Sequence, residues 1–153
     1  IPRKEIIDEL PLSIPEGSKV ADYGCGLAEI QKELGDRYKI YSLDHIAINE
    51  DVIECDMANS PLEDLSLDAA IFSLSLMGKN IKDYIDDAYR CMKVGGQLII
   101  YHPEKHNNLD KFTKGLEANG FVIIKSGSKY KWHYIWAIKQ SEKTNSSLEI
   151  SFK

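Results

Sequence analysis

The stretch Val20-Ala21-Asp22-Tyr23-Gly24-Cys25-Gly26-Leu27-Ala28 constrains this chain more than any other. It reads as a short buried strand that runs straight into a turn. Glycines at 24 and 26 let the backbone bend sharply and approach a ligand where a side chain would block it. A nucleotide-type cofactor is the first expectation. A dinucleotide fingerprint starting at Gly24 would need its third glycine at position 29, which is Glu29, so a pyrophosphate would meet a carboxylate. Asp22 at the strand end suits a cationic ligand instead. A glycine-rich turn alone could also be a bare loop, and the rest of the chain has to decide.

With 153 residues, 43% of them hydrophobic, the chain can bury one core but not two. Residues 1–16 read as a leading helix and its lead-in, 17–140 as the single α/β domain, and 141–153 as a polar, disordered tail. In the first segment, Ile6, Ile7 and Leu10 stand at helical spacing, and the helix is expected to end before Pro11. Ala28 to Leu34 follows the glycine turn as a second helix. Tyr38 to Leu43 is a strand closed by Asp44. The link to the next strand, Val52-Ile53-Glu54-Cys55, is too short for a crossover helix and should be a loop. That strand ends in Asp56-Met57. Asp68 to Ser73 is a buried strand, Ile81 to Met92 an amphipathic helix closed by Gly95-Gly96, and Gln97 to Tyr101 a fifth strand. Leu109 to Asn119 is a helix stopped by Gly120. Phe121–Lys125 and Trp132–Ile138 read as a hairpin around Ser126-Gly127-Ser128.

Strands alternating with helices imply a mostly parallel sheet with its ligand crevice at the carboxyl ends of the strands. Asp22, Asp44 and Asp56 each close a different strand, so all three face that crevice. Asp44 stands 20 residues beyond Gly24, the interval at which an acid commonly meets ribose hydroxyls. The three cysteines, Cys25, Cys55 and Cys91, are odd in number and lack metal-ligand spacing, so reduced thiols are expected, with no disulfide framework and no metal. No signal peptide or membrane span is visible, and an intracellular protein without a membrane partner is expected. A net charge of −5 does not favour a broad electrostatic grip on nucleic acid. Because the chain begins at Ile1 with no methionine, it is expected to be part of something longer.

Read as Asp-x-Gly-x-Gly-x-Ala, the stretch from Asp22 to Ala28 resembles the first motif of S-adenosylmethionine-dependent methyltransferases. Cys55-Asp56-Met57-Ala58, Pro61-Leu62-Glu63-Asp64 and Phe72-Ser73-Leu74-Ser75-Leu76-Met77-Gly78-Lys79-Asn80 resemble, more narrowly, the signature of the nucleomethylin family, methyltransferases of ribosomal-RNA processing. Together with Ala21 to Gly26 these segments span residues 20 to about 97 at compatible spacing. The resemblance implies a class I methyltransferase (Rossmann-like) fold, a seven-stranded, mostly parallel sheet with a C-terminal antiparallel hairpin. It implies S-adenosyl-L-methionine as cofactor and methylation of adenine N1 in large-subunit ribosomal RNA, in the nucleolus of a eukaryote or the cytoplasm of a bacterium. On that assignment Asp22 meets the methionine end of the cofactor, with Gly24, Cys25 and Gly26 around it. Asp44 meets the ribose diol and Asp56 with the Met57 backbone the adenine edge, and His45 and Ser73 complete the cofactor-binding set.

Adenine N1 carries a lone pair, so its attack on a sulfonium methyl needs alignment more than a strong base. His102 and Ser73 are the candidates for contact with the reacting atoms; His102 equally reads as a local strand cap. On the substrate side, Phe121 to Gln140 carries four lysines and no Asp or Glu, interleaved with Tyr130, Trp132, Tyr134 and Trp136. Lys129, Tyr130 and Lys131 at a hairpin tip are candidates for contact with ribosomal RNA. Trp132, Tyr134 and Trp136 alternate, which suits one buried face. Two other classes use the same cofactor half: a small-molecule or protein methyltransferase, and a non-catalytic cofactor-binding module.

Overall fold

The computed structural model of this chain describes residues 2–76, 80–106 and 108–140. The element order is α1 (Pro2–Ser13), β1 (Lys19–Tyr23), α2 (Glu29–Leu34), β2 (Lys39–Asp44), β3 (Val52–Glu54), β4 (Leu67–Ser73), α3 (Ile81–Cys91) and β5 (Met92–Pro103). A 3-10 turn (Glu104–His106), α4 (Leu109–Ala118), β6 (Phe121–Lys129) and β7 (Trp132–Lys139) complete it. The strands form one seven-stranded sheet in the order β3-β2-β1-β4-β5-β7-β6. The first five strands run parallel, and β7 enters antiparallel between β5 and β6. A mostly parallel sheet is what the order of elements predicts, and seven strands with an antiparallel C-terminal pair are what the resemblance implies. The polar tail expected beyond Gln140 lies outside the described residues.

Strands covered on both faces are apolar throughout rather than alternating, and β4 meets that requirement with Leu67, Ala69, Ala70, Ile71 and Phe72 all fully buried. One face carries α1 and α2, where Ile6, Leu10, Ile14, Ile30 and Leu34 pack on Val20, Ala69, Ile71, Ile99, Tyr101 and Trp136. The other carries α3 and α4, where Tyr84, Ile85, Ala88, Phe112 and Leu116 pack on Ala21, Tyr23, Phe72, Leu98 and Ile100. Side chains alternate between faces along a strand, so Asp22 falls on the α1/α2 face with Val20, while Tyr23 falls on the α3 face.

Three local expectations are corrected. Pro11 does not end α1: the helix runs to Ser13 with Pro11 in its last turn, because Leu10 and Ile14 on either side are buried and their packing outweighs the one N–H that proline lacks. Gly95-Gly96 does not close α3. That helix stops at Cys91, Met92 turns to extended geometry and pairs directly with Leu67, and the glycines lie inside a longer β5 where its register against β4 shifts. Ser126-Gly127-Ser128 is not the hairpin turn. β6 runs through it to Lys129, and the turn is Tyr130-Lys131, with Tyr130 at φ 58°. Gly127 is needed for packing, since a Cβ there would lie 2.7 Å from the Tyr134 hydroxyl on the paired strand.

Lys139 closes the sheet from within. Its ammonium is fully buried, donates to Tyr89 O at 2.7 Å and Met92 O at 3.0 Å, and stands 4.3 Å from the Tyr89 ring centroid. It thus satisfies carbonyls where α3 passes into β5, which a helix end otherwise leaves unpaired. Lys139→Met should cost about 2–4 kcal/mol, since hydrogen bonds from a charged donor contribute about 1.5–3 kcal/mol each and part of this returns as relieved ammonium desolvation. Urea unfolding checks it; a loss below about 1 kcal/mol would show that the carbonyls find other donors.

Candidate functional site

The glycine loop is built by four neighbours. Gly24 N and Cys25 N both donate to Leu43 O, at 2.8 and 2.9 Å, which ties the loop to β2. Gly26 N donates to Asp44 Oδ2 at 2.9 Å, and the other Asp44 oxygen accepts from His45 N at 2.7 Å. From beyond β4, Ser75 Oγ donates to Tyr23 O at 2.6 Å. From α1, Arg3 Nη2 donates to Cys25 O at 3.1 Å and Gly24 O at 3.5 Å. The loop has left-handed backbone at Gly24 (φ 79°), Gly26 (φ 58°) and Ala28 (φ 60°). A Cβ at Gly24 would lie 2.5 Å from Ser75 Cβ, so strain and space together exclude a side chain there.

Beneath this loop sits Asp22, fully buried, with neither carboxylate oxygen hydrogen-bonded among the described residues. Burial pushes its pKa up to about 7, Arg3 opposes that shift, and Asp44 adds to it. A buried unpaired carboxylate is costly, and it lies at the carboxyl end of the central strand, where α/β sheets take ligands. Cys25 is also fully buried. Burial, then Asp22 and Asp44, push its thiol up to about 12, so it is no nucleophile, and only its backbone can serve a ligand.

The remaining sequence candidates fall as follows. Asp44 and His45 flank the loop, and His45 Nε2 lies 3.3 Å from the Tyr84 hydroxyl of α3. Asp56 is exposed and turns back on its own loop, its Oδ1 accepting from Ala58 N at 2.9 Å. Met57 is buried in the α3-side core, leaving only its backbone at the rim. Ser73 and His102 diverge: Ser73 shares the face of Ile71 towards α1, whereas His102 shares that of Ile100 and packs on Phe112 at 5.8 Å between ring centroids. Leu76 is core, and Met77 to Lys79 of the same run lie outside the described residues.

The hairpin tip shares the rim of the glycine loop, because β7 and β1 are three strand spacings apart, about 14 Å at 4.8 Å each. Tyr130 is 78% exposed there. Lys131 O accepts from Glu104 N at 2.9 Å. The Lys129 ammonium pairs with Glu5 of α1 at 3.2 Å, beside a second pair, Lys125 with Glu9, at 3.1 Å. Trp136 is buried, and Trp132 and Tyr134 pack partly buried on the same α1 face.

Three residues at the site escaped the sequence: Arg3, Ser75 and Tyr84. Nothing in the spacing of α1 places its first turn over a loop more than twenty residues away; only the serine immediately following β4 carries a hint, as a small polar group at a strand's carboxyl end. A cavity of about 360 Å³ lies beside the loop between α1 and α2. It is lined by Arg3, Lys4 and Lys32 against Asp8, Glu29 and Glu33, so its charges cancel and it selects no ion. No group of three His, Cys, Asp or Glu side chains fit to hold a metal occurs among the described residues. No helix among them is long and apolar enough to cross a membrane.

The model of a family described as hypothetical methyltransferase matches residues 1–153. Ribosomal RNA-processing protein 8 of Dictyostelium discoideum is 36% identical over 149 residues, covering 97% of this chain and 38% of the relative. Its namesake in Arabidopsis thaliana is 36% identical over 157 residues, 98% of this chain and 54% of the relative. The 25S rRNA (adenine(645)-N(1))-methyltransferase of Schizosaccharomyces pombe is 44% identical over 83 residues, 53% of this chain and 26% of the relative. The chain thus spans about a third to a half of the length of the curated relatives it matches along most of its own length. Among solved structures, the Burkholderia thailandensis 1,6-didemethyltoxoflavin-N1-methyltransferase superposes with a TM-score of 0.76 at 12% identity, covering 91% of this chain and 78% of that one. A putative S-adenosyl-L-methionine-dependent methyltransferase from Methanococcus maripaludis gives 0.72 at 16%, covering 92% and 86%. At such identities the likeness is one of fold, that of the class I methyltransferases.

Proposed function

We propose, from the premise that this chain belongs to the methyltransferase family whose model matches it from residue 1 to residue 153, that it binds S-adenosyl-L-methionine at the glycine loop and methylates N1 of an adenine in large-subunit ribosomal RNA. The observation that carries the cofactor half is Asp22, a fully buried carboxylate with no hydrogen-bond partner among the described residues, beneath a loop whose backbone is left-handed at Gly24 and Gly26. An unpaired carboxylate beneath such a loop fits the ammonium of this cofactor's amino-acid end and repels a pyrophosphate. Asp22 and the backbone of Gly24, Cys25 and Gly26 would hold that end, Asp44 and His45 the ribose, and Asp56 with the Met57 backbone the adenine. When bound, the cofactor supplies an electrophilic methyl group on a sulfonium.

The chain's own part is then alignment. Adenine N1 brings its lone pair with it, so the opposed orientations of Ser73 and His102 are no obstacle: neither has to act as a base. Ser73, at the end of β4, borders the crevice, and His102 serves the packing of α4. The RNA half rests on the relatives named for ribosomal RNA and on the hairpin tip. Lys131 and Tyr130 face the rim, and Lys129 joins them when an RNA phosphate replaces Glu5 in its exposed ion pair. In a eukaryote the place of work would be the nucleolus.

Methyl transfer from labelled cofactor, followed by mapping of methylated adenines in ribosomal RNA, tests this directly. The label is expected at one adenine of the large-subunit RNA and absent with Gly24→Val. Label in peptides or metabolites would favour the other transferase class; cofactor affinity without turnover on any pool would leave a binding module. For the surface, changing both Lys129 and Lys131 to Gln should weaken RNA binding and reduce its log–log salt slope by about 1.4, at about 0.7 per phosphate contact on single strands. Cofactor affinity should be unchanged. An unaltered slope moves the RNA surface elsewhere.

A further inference from the structure

We infer that Arg3 of α1 receives the carboxylate of the amino-acid end of the cofactor, a role that rests on the glycine loop being an S-adenosylmethionine site. An α-amino acid end is a zwitterion, and a site for it needs acceptors for the ammonium and a donor for the carboxylate. The acceptors are present in Asp22 and in the carbonyls of Gly24 and Cys25. The donor is not supplied by α2, a helix of only six residues that opens on Glu29.

Arg3 is placed to fill that need. Its guanidinium reaches the loop from the first turn of α1, touches the carbonyls of Gly24 and Cys25, and lies so close to Gly26 that a Cβ there would stand 3.2 Å from Nη2. Its Nε is buried with no partner among the described residues. A planar fork of donors in which only Nη2 is engaged among the described residues matches a carboxylate, which a guanidinium binds through two parallel bonds. Its charge also steadies Asp22 in the anionic form that an ammonium needs, since Arg3 is the group that opposes the upward shift of that acid. Lys4 and Lys32 line the same cavity between α1 and α2 as Arg3 does, but among the described residues Arg3 is the cation that bonds the loop carbonyls.

The competing role is that Arg3 only pins α1 to the loop. The two roles separate on ligands that differ by one group. Calorimetry would compare S-adenosylmethionine, its decarboxylated form and methylthioadenosine, which lacks the amino-acid end, on the unaltered protein and on Arg3→Met and Arg3→Lys. Loss of a hydrogen-bonded ion pair predicts that Arg3→Met weakens S-adenosylmethionine about 10–100-fold while the other two ligands stay within about twofold. Arg3→Lys, which keeps the charge but loses the fork, should fall between. Equal weakening of all three ligands, or undiminished affinity for S-adenosylmethionine, overturns the inference and leaves the cofactor site standing. If the unaltered protein binds none of the three, the cofactor site itself fails, and the inference with it. Thermal unfolding run alongside shows whether Arg3→Met folds; if it does not, Arg3→Lys decides, with selective loss of the carboxylate-bearing ligand expected and uniform loss overturning the role.

Discussion

Asp87→Ala is expected to lower the unfolding free energy by about 3–5 kcal/mol, the cost of removing one partner from a buried charged network. At 2–4 °C per kcal/mol for a chain of this size, the transition should fall by roughly 6–20 °C. Asp87 is buried on α3 and collects five donors: the Tyr23 hydroxyl at 2.8 Å, Ser60 N at 3.0 Å, Ser60 Oγ at 2.7 Å, Arg90 Nη2 at 2.9 Å and, more weakly, Cys91 Sγ at 3.9 Å. It therefore joins the end of β1, the loop after β3 and α3 at one point. Burial, with Cys91 and Asp87 beside it, pushes the Tyr23 hydroxyl far above its usual range, so Tyr23 stays a neutral donor. Without the carboxylate, that hydroxyl and Ser60 N are stranded, while Arg90 retains Asp64 and the carbonyls of Leu62 and Ser60. Tyr23 precedes Gly24, so the damage should reach the loop, and cofactor affinity should fall with stability. Asp87→Asn keeps the shape and one acceptor and should cost about half as much. A loss below about 1 kcal/mol for alanine, measured by urea unfolding, would show water replacing the acid.

Asp22→Asn should act in the opposite sense on stability and abolish ligand binding. Burial raises the Asp22 pKa from 3.8 to about 7, so the folded chain binds more protons than the unfolded chain between those values. Stability contributed by this group is present below about pH 4, declines as pH rises, and is gone above about pH 7. Asparagine has no such dependence. At pH 8 the variant without cofactor should be more stable than the unaltered protein by on the order of 2–4 kcal/mol, since each pH unit between the unfolded and folded values is worth about 1.4 kcal/mol, and the two should be near parity at pH 4. Affinity for S-adenosylmethionine, which needs the anion, should rise with pH towards 7 in the unaltered protein and fall at least about 100-fold in the variant. Melting curves at pH 4 and 8 with calorimetry check both halves. A variant no more stable at pH 8 would mean that the carboxylate is not strained.

The sheet was legible because its signals are local. Asp22 to Gly26 joins an acid to two glycines at a strand end, β4 is unbroken apolar sequence, and α3 repeats its apolar face at helical spacing. The errors came where a local signal had a non-local cause. Gly127 is flanked by serines as a turn glycine would be, yet it is glycine because Tyr134 packs against it. Lys139 stands where a strand usually meets water and is instead buried under α3. That α1 brings Glu5 within reach of Lys129 was likewise not legible, because the pair joins residues far apart in the chain. Arg3 belongs to the same class: a surface helix predicts which of its residues are buried, but not which loop its first turn will cover.

The insertion of β7 between β5 and β6 has a bearing on biosynthesis. While the chain is still emerging from the ribosome, β5 can pair with β4 on one side, but its other edge, running through Leu98, Ile99 and Ile100, has no partner until the last strand is translated. An open apolar edge is a template for association with other chains. A chain stalled after Gly120 would therefore hold the glycine loop and much of both cores yet leave bare the edge of β5 that the hairpin Phe121 to Lys139 covers in the folded protein.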